Sequence, residues 1–450
     1  MTIERDKVVR KIGEIIDNYH FAPNDGELHG KYFPNNLAFM ALSYLLDRNH
    51  LLIGDPGWGK TTAAQLISSV FSGIPVDLYE ALTIEGHPGL FTEKWKARPN
   101  YGALAKEGAE RVIWQGSFGL DTLIVDEINR VPPDVQDEML EGIRTGRWKY
   151  LNDVLYEGKK PTFMTMNHRD DGNGSIIPPL EDRIDIVTEE VAGSPLSNYA
   201  EAEERVRKDL SDPEAATAAI EALRSTDFAK FKAAVARTRG TRIKDHIVNG
   251  EKKNIQEQIK AMEWDNDAYY FLWTFAAEIN FSQKYGTKRT EDPISDNDHD
   301  NKYAGFNVEN SFSPRPQMAA RLYSQGLAWL LGDSKVELDH VRYVLPHVSA
   351  HKLKFTDGFR DKHGGNPRTD YEALHLAKEL VRAVETTYDA SVKPLKSLIA
   401  LIQKGKIEVR HTDKGDRIVY EGAERTADDF DHPLISHLVR SRLLSKKLNL

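Results

Sequence analysis

The sequence predicts an α/β fold, a parallel sheet with helices on both faces, followed by an all-α region and a small α+β tail. Three observations carry that reading. Apolar runs at Leu51–Ile53, Thr122–Val125, Pro161–Met166 and Ile184–Thr188 are separated by helical stretches, the pattern of strands joined by crossover helices. The stretch Leu51–Thr62, LLIGDPGWGKTT, passes from an apolar run through a glycine-rich turn into a helix. Two later runs end in Asp126-Glu127 and in Asn167, at the carboxyl ends of strands, where such sheets open their ligand crevice.

The chain has 450 residues, enough for two or three domains that each bury a core. It contains no cysteine, so no disulfide forms. No apolar run approaches the ~20 residues of a membrane span, and the start, MTIERDKVVR, is too charged for a signal peptide. A cytoplasmic protein with no membrane association is therefore expected. With 69 acidic against 60 basic residues the formal charge is −9, which gives no global attraction to nucleic acid.

The first fifty residues read as a charged helical start, the loop APNDGELHGKYFPNN, and an apolar helix around Leu37–Leu46. Within the loop, His29, Gly30, Lys31 and Tyr32 are either residues that close over a ligand or an ordinary solvated turn. The next stretch carries the chemistry. It fits G-x-x-x-x-G-K-[ST], with Gly54, Gly59, Lys60 and Thr61 at the fixed places. Asp55, Pro56, Gly57, Trp58, Gly59, Lys60, Thr61 and Thr62 then form a phosphate-binding loop. Glycines are needed because backbone N–H groups crowd phosphate oxygens where a Cβ would clash, and the following helix presents its positive end. Lys60 reaches the β- and γ-phosphates of ATP, and the Thr61 hydroxyl holds Mg²⁺.

Asp126 suits the Mg²⁺ shell, and Glu127 suits the polarisation of a water that attacks the γ-phosphate. An acidic pair at a solvated strand end is common by itself; beside the loop at Lys60 it becomes specific. Asn167 offers a neutral amide to the γ-phosphate or to the attacking water, although asparagine also forms ordinary turns. Arg183, in PPLEDR, either acts on phosphate or pairs with Glu181 or Asp182, and the residues alone leave both open.

Together, GDPGWGKT, LIVDEINRVPPDVQDEMLEGI, the strand ending in Asn167, PPLEDRID and SPRPQMAARLYSQGLAWLLG resemble the MoxR family of AAA+ ATPases over roughly Asn36–Lys354. The resemblance implies an AAA+ α/β core, a helical lid and a ring, usually a homo-hexamer, with nucleotide between neighbours. It makes Lys60 and Thr61 the phosphate loop, Asp126 and Glu127 the Mg²⁺ and catalytic pair, and Asn167 the first sensor. It makes Arg183 the arginine finger that completes the next subunit's site and Arg315, in SPRPQ, the second sensor on the lid. Arg130 matches the arginine of DEINR without a defined role. Tyr79–Phe91 would be an insert projecting from the second core helix, and its His87 has no metal-ligand companion.

On this reading residues 1–190 form the core with its N-terminal helix, 191–356 the lid, and 357–450 a C-terminal docking region. Ala215–Glu263 and the acidic loop Thr290–Asn301 read as extra material ahead of Arg315. The loop from Asp296 is like a calcium loop in charge, but the template's glycine and terminal acid are Asn301 and Asn307 here, so a solvated loop is favoured. After Gly364, Gly365 and Pro367 come helices at Tyr371–Tyr388 and Lys393–Gln403, a hairpin of IEVRH and RIVYE, and a last helix from His432. The function expected is Mg²⁺-dependent ATP hydrolysis in a ring that remodels a protein partner. The family often works with proteins carrying a von Willebrand factor A domain. The alternatives are a nucleic-acid motor or restriction-type NTPase subunit, against which the acidity counts, and a scaffold that binds ATP with little turnover, against which Glu127, Asn167 and Arg183 count.

Overall fold

The computed structural model describes residues 3–19, 25–108, 110–168, 175–189, 209–224, 227–280, 303–364, 372–403, 408–412, 415–420, 423–425 and 434. The acidic loop Thr290–Asn301, Gly365, Pro367 and, apart from Leu434, the segment from His432 lie outside them. The chain divides into two compact units, Met1–Met262 with Gln325–Ser334, and Glu263–Ser324 with Lys335–Leu450. Among the described residues no helix is long and apolar enough to cross a membrane.

The first unit is organised on a five-stranded sheet. Its strands are β1 (Asn49–Gly54), β2 (Ile84–Glu85), β3 (Leu123–Asp126), β4 (Thr162–Asn167) and β5 (Ile186–Glu189). They lie in the order β5-β1-β4-β3-β2, all parallel. Every residue of β1 is buried, as expected of a central parallel strand covered on both faces. Register places Asn167 beside Gly54 and Glu85 beside Asp126. The pairing of Val125 with Met164 sets Asp126 level with Thr165, two residues short of Asn167. The chemistry-bearing ends of three strands thus reach one edge.

Helix Asn35–Leu46, buried at every position, and helix Lys60–Ser72 flank β1. Tyr79–Phe91 is not a projecting insert. Tyr79 is 1% exposed, Leu78 is buried, and Ile84–Glu85 is the sheet's edge strand β2. Tyr79, Ile84 and Leu90 are buried and hold the segment against the core, while Phe91 at its end is exposed. Two antiparallel pairs lie outside this sheet, Ala97–Pro99 with Val112–Trp114 and Arg147–Tyr150 with Asp153–Tyr156. Trp148 meets both Trp95 and Phe118 edge to face beside them, with Phe118 and Trp148 centroids 4.8 Å apart.

The charged stretch from Ala215 onward folds onto this unit as helices Pro213–Arg224, Phe228–Thr238 and Asn249–Lys260. Arg239 pairs with Asp121 through both guanidinium nitrogens, and Ile247 N–H donates to Phe71 O at 2.9 Å. The N-terminal helix Ile3–Tyr19 is held there by Lys7, whose ammonium donates to Glu251 and to His246 O. The loop after it contains the hairpin Asp25–Leu28 and Lys31–Pro34, with His29 and Gly30 in left-handed conformations at its turn. Lys31 donates to Leu331 O at 2.9 Å, which makes it a structural tie.

In the second unit, helices Asn266–Ile279, Leu338–Ser349 and Glu372–Gln403 pack together, and Tyr388 meets Phe271 edge to face. Glu372–Gln403 is one helix of 32 residues where the sequence predicts two. Pro394 removes one backbone donor, but no glycine or cap accompanies it, and the helix continues. The predicted hairpin forms from Glu408–Thr412 and Gly415–Tyr420, and Ala423–Arg425 adds a third strand.

Candidate nucleotide hydrolysis site

The site starts with the backbone of the turn between β1 and helix Lys60–Ser72. Gly57 and Gly59 have φ of 81° and 76°, conformations in which any other L residue is strained. Gly59 caps the helix, so the turn runs directly into the helix N-terminus and its positive end. Asp55 to Gly59 are half-buried or exposed, and Thr62 is exposed on the first turn. Lys60, in contrast, is 7% exposed. Its ammonium donates to Gly54 O at 2.9 Å, Asp55 O at 2.8 Å and Asn167 Oδ1 at 2.9 Å.

From that lysine a hydrogen-bond chain crosses the sheet. Asn167 at the end of β4 accepts from Lys60 and donates through Nδ2 to Glu127 Oε1 at 3.2 Å. The other Glu127 oxygen pairs with Arg130 Nη1 at 2.9 Å. In parallel, Thr61 Oγ1 donates to Asp126 Oδ1 at 2.6 Å. The structure therefore unites Lys60, Thr61, Asp126, Glu127 and Asn167 at one edge, and it gives Arg130 a partner that the motif leaves undefined.

Three further residues shape the site without a motif to announce them. Thr165 donates to Asp126 Oδ1 and accepts from Glu127 N–H at 3.0 Å, so one hydroxyl sets both acids. Glu127 sits at φ 49°, ψ 53°, a left-handed conformation that costs of order 1–3 kcal/mol in a non-glycine residue. Gly86 leaves room for that turn. Its N–H donates to Asp126 O at 2.8 Å, and a Cβ there would lie 2.3 Å from Glu127 O. Gln136 is fully buried and bridges Val131 O and Ile177 N–H, which ties the segment after Glu127 to the one before Arg183. Thr165 and Gly86 are hidden in the sequence because each looks ordinary in a strand or turn; only the register shows what lies opposite.

Arg183 is elsewhere. It precedes β5 at the amino edge, where its carbonyl accepts from Asn49 Nδ2 at 2.8 Å. Asn49 begins β1 and Gly54 ends it, a separation of roughly 17 Å at the usual rise per residue. Arg183 Nη1 donates to Pro179 O at 2.5 Å, its Nε is buried without a partner, and among the described residues no carboxylate forms an ion pair with it. Arg315 is exposed on the first turn of helix Pro314–Leu331, within the second unit.

Comparison with known proteins agrees with this geometry. Residues 49–184 match the AAA domain of the dynein-related subfamily, a span that runs from the start of β1 to just past Arg183. An inferred ATPase from Cytophaga hutchinsonii has a similar solved structure, with a TM-score of 0.52 and 12% sequence identity. The match covers 83% of this chain and 94% of that one, and at this identity it speaks to fold. No curated protein matches the chain. The fold is thus an AAA α/β core with a helical region, and the chain is an ATPase.

Proposed function

We propose that this chain is a MoxR-like ATPase that works as a ring with Mg²⁺ and uses ATP hydrolysis to remodel or assemble a protein partner. In this reading Lys60 exchanges its loop carbonyl acceptors for phosphate oxygens and gathers the nucleotide. The Thr61 hydroxyl and Asp126 carboxylate are hard oxygen donors already 2.6 Å apart, which suits Mg²⁺. That ion would neutralise charge on the β- and γ-phosphate oxygens. Glu127 orients a water and takes its proton as the new bond to the γ-phosphorus forms and the bond to the bridging oxygen breaks. Asn167 reports on both events, since it touches Lys60 and Glu127.

The position of Arg183 supports the ring. A cation about a strand's length from its own phosphate loop cannot assist there, but it can complete a neighbour's site, where charge on equatorial oxygens needs it. Arg315 would supply the matching charge from the lid. The two strand pairs outside the sheet support a protein partner. They are tied by Asn152 to Glu110 at 2.7 Å and Trp114 to Asp153 at 3.0 Å, and they expose Tyr101, Leu104, Leu151, Val154 and Tyr156. The resemblance points to a partner with a von Willebrand factor A domain.

Mixing two inactive variants tests the ring. Arg183→Ala subunits keep Glu127, and Glu127→Gln subunits keep Arg183, so each pure protein should lose activity, on the order of 10³-fold for the finger. After subunit exchange is verified by fluorescence transfer, the mixture should recover part of wild-type turnover. Normal turnover in pure Arg183→Ala would refute the role.

A further inference from the structure

The amino edge of the sheet holds a second cavity, remote from the phosphate loop. It encloses about 540 Å³, within the range that holds a small ligand. Residues just ahead of three strands form its floor: Asp47 before β1, Asp121 before β3, Lys159 and Lys160 before β4. Helices Phe228–Thr238 and Asn249–Lys260 form its walls. All of it lies within the first unit.

Its charge is what sets it apart. Six cations line it, Lys159, Lys160, Lys232, Arg239, Lys252 and Lys253, against three carboxylates. Each carboxylate is already engaged. Asp47 accepts from Lys252 at 2.5 Å, Asp121 from both ends of Arg239, and Glu157 from Lys232 at 2.8 Å. Three positive charges are left over, in a chain whose formal charge is −9. Among the described residues no carboxylate is within ion-pair distance of Lys159 or Lys253, and both are exposed at the cavity. Lys160 is anchored by donation to Phe118 O and Leu120 O. Burial pulls its ammonium down to about 8. Burial, and then the charge of Arg48, also lowers Lys159. Packing these cations together costs free energy that a bound anion would offset.

We infer that this cavity binds a small, multiply charged anion of the oligophosphate or phosphorylated-metabolite class, at a site separate from the nucleotide that is hydrolysed. Lysine ammonium groups suit such a ligand because they act as point charges on phosphate oxygens without demanding a planar partner. The paired carboxylates hold the inner cations in place, Lys160 among them at 3.7 Å from Glu157, while Lys159 and Lys253 stand at the cavity without a carboxylate among the described residues. Concavity favours a small molecule over a polymer, since a backbone needs a groove that is open at both ends.

Inorganic tripolyphosphate is a suitable probe, used on the full chain with isothermal titration. Because the phosphate loop would also accept it, the measurement is made in a Lys60→Ala background. One equivalent should still bind there. Adding Lys159→Ala and Lys253→Ala, two exposed positions whose loss spares the core, should weaken binding roughly tenfold. A charge-matched control, Lys60→Ala with Lys94→Ala and Lys106→Ala, should bind as the background does. The inference is overturned if Lys60→Ala binds no tripolyphosphate, if the Lys159/Lys253 variant binds as tightly as the control variant, or if a single-stranded oligonucleotide outcompetes the probe at equal phosphate concentration. Two equivalents bound in Lys60→Ala would instead count against the role of Lys60 in the phosphate loop and leave this cavity's occupancy standing.

Discussion

The two edges of one parallel sheet handle charge in opposite ways. At the carboxyl edge Lys60, Asn167, Glu127 and Arg130 form a single chain of hydrogen bonds across strands, and each link is one that a phosphate or a water can displace. At the amino edge each carboxylate is closed onto the cations beside it, Asp121 with Arg239 and Glu157 between Lys232 and Lys160. A chain relays a change at one end to the other, whereas short local clusters of opposite charge hold position. The difference marks the first edge as the place where a reaction can be sensed and the second as a fixed frame.

The largest effect should come from cutting the chain at its two ends. Lys60→Ala is expected to abolish nucleotide binding, and Glu127→Gln to preserve binding while turnover falls by about 10²–10⁴-fold, the usual contribution of a catalytic base. In the proposed roles lysine acts when phosphates are gathered and glutamate only when water attacks, so binding and rate should separate. Nucleotide titration and steady-state hydrolysis on both variants check this. Equal loss of binding in both would mean that Glu127 is part of the binding site and that the edge is not a relay.

Breaking a pair in the frame should cost stability and spare chemistry. Burial tends to raise the Asp121 carboxyl, but the hydrogen bonds and charge of Arg239 outweigh it and hold it below its ordinary value. Arg239→Met leaves Asp121 part-buried without its partner, at an expected cost of about 2 kcal/mol, between the values for exposed and buried pairs. Thermal melting should show the loss, with turnover per folded molecule unchanged. A large drop in turnover would show that the two edges are coupled after all.

Much of this contrast is legible in the residues, and the missing part is of one kind. The strands ending in Gly54, Asp126 and Asn167 announce themselves because buried parallel strands are apolar throughout and their polar ends stand out. Arg183 and the acidic pair are found by their neighbours in sequence. What stays hidden is lateral. Thr165 matters because it lies level with Asp126, and Gly86 because β2 ends under Glu127; neither relation exists along the chain. The amino-edge cavity is hidden for the same reason, since its cations come from segments more than 80 residues apart, such as Lys159 and Lys253. The place of Tyr79–Phe91 was obscured by β2 being two residues long, too short for any periodicity.

The smallest expected effect concerns a third way of placing a charge, a buried acid with no cation against it among the described residues. Glu278, in helix Asn266–Ile279 of the second unit, is 1% exposed and accepts from Ala304 N–H at 3.2 Å. Asp121 has an arginine and titrates low; among the described residues Glu278 has only burial and one backbone donor, and burial raises its carboxyl to about 8. The sign of the consequence follows from proton counting. Between the ordinary value of 4.5 and about 8 the unfolded chain has released this proton while the folded chain keeps it. Stability must therefore fall as pH rises through that window and level off above it. Glu278→Gln keeps an acceptor for Ala304 N–H and cannot titrate, so its melting temperature should match wild type near pH 5 and exceed it increasingly toward pH 8. Melting curves of both proteins at several pH values give the difference directly, because titrations elsewhere in the chain are common to both and cancel. A gap that stays constant with pH would mean that Glu278 is ionised in the folded chain, and that an unpaired carboxylate is tolerated there where the amino edge requires an arginine.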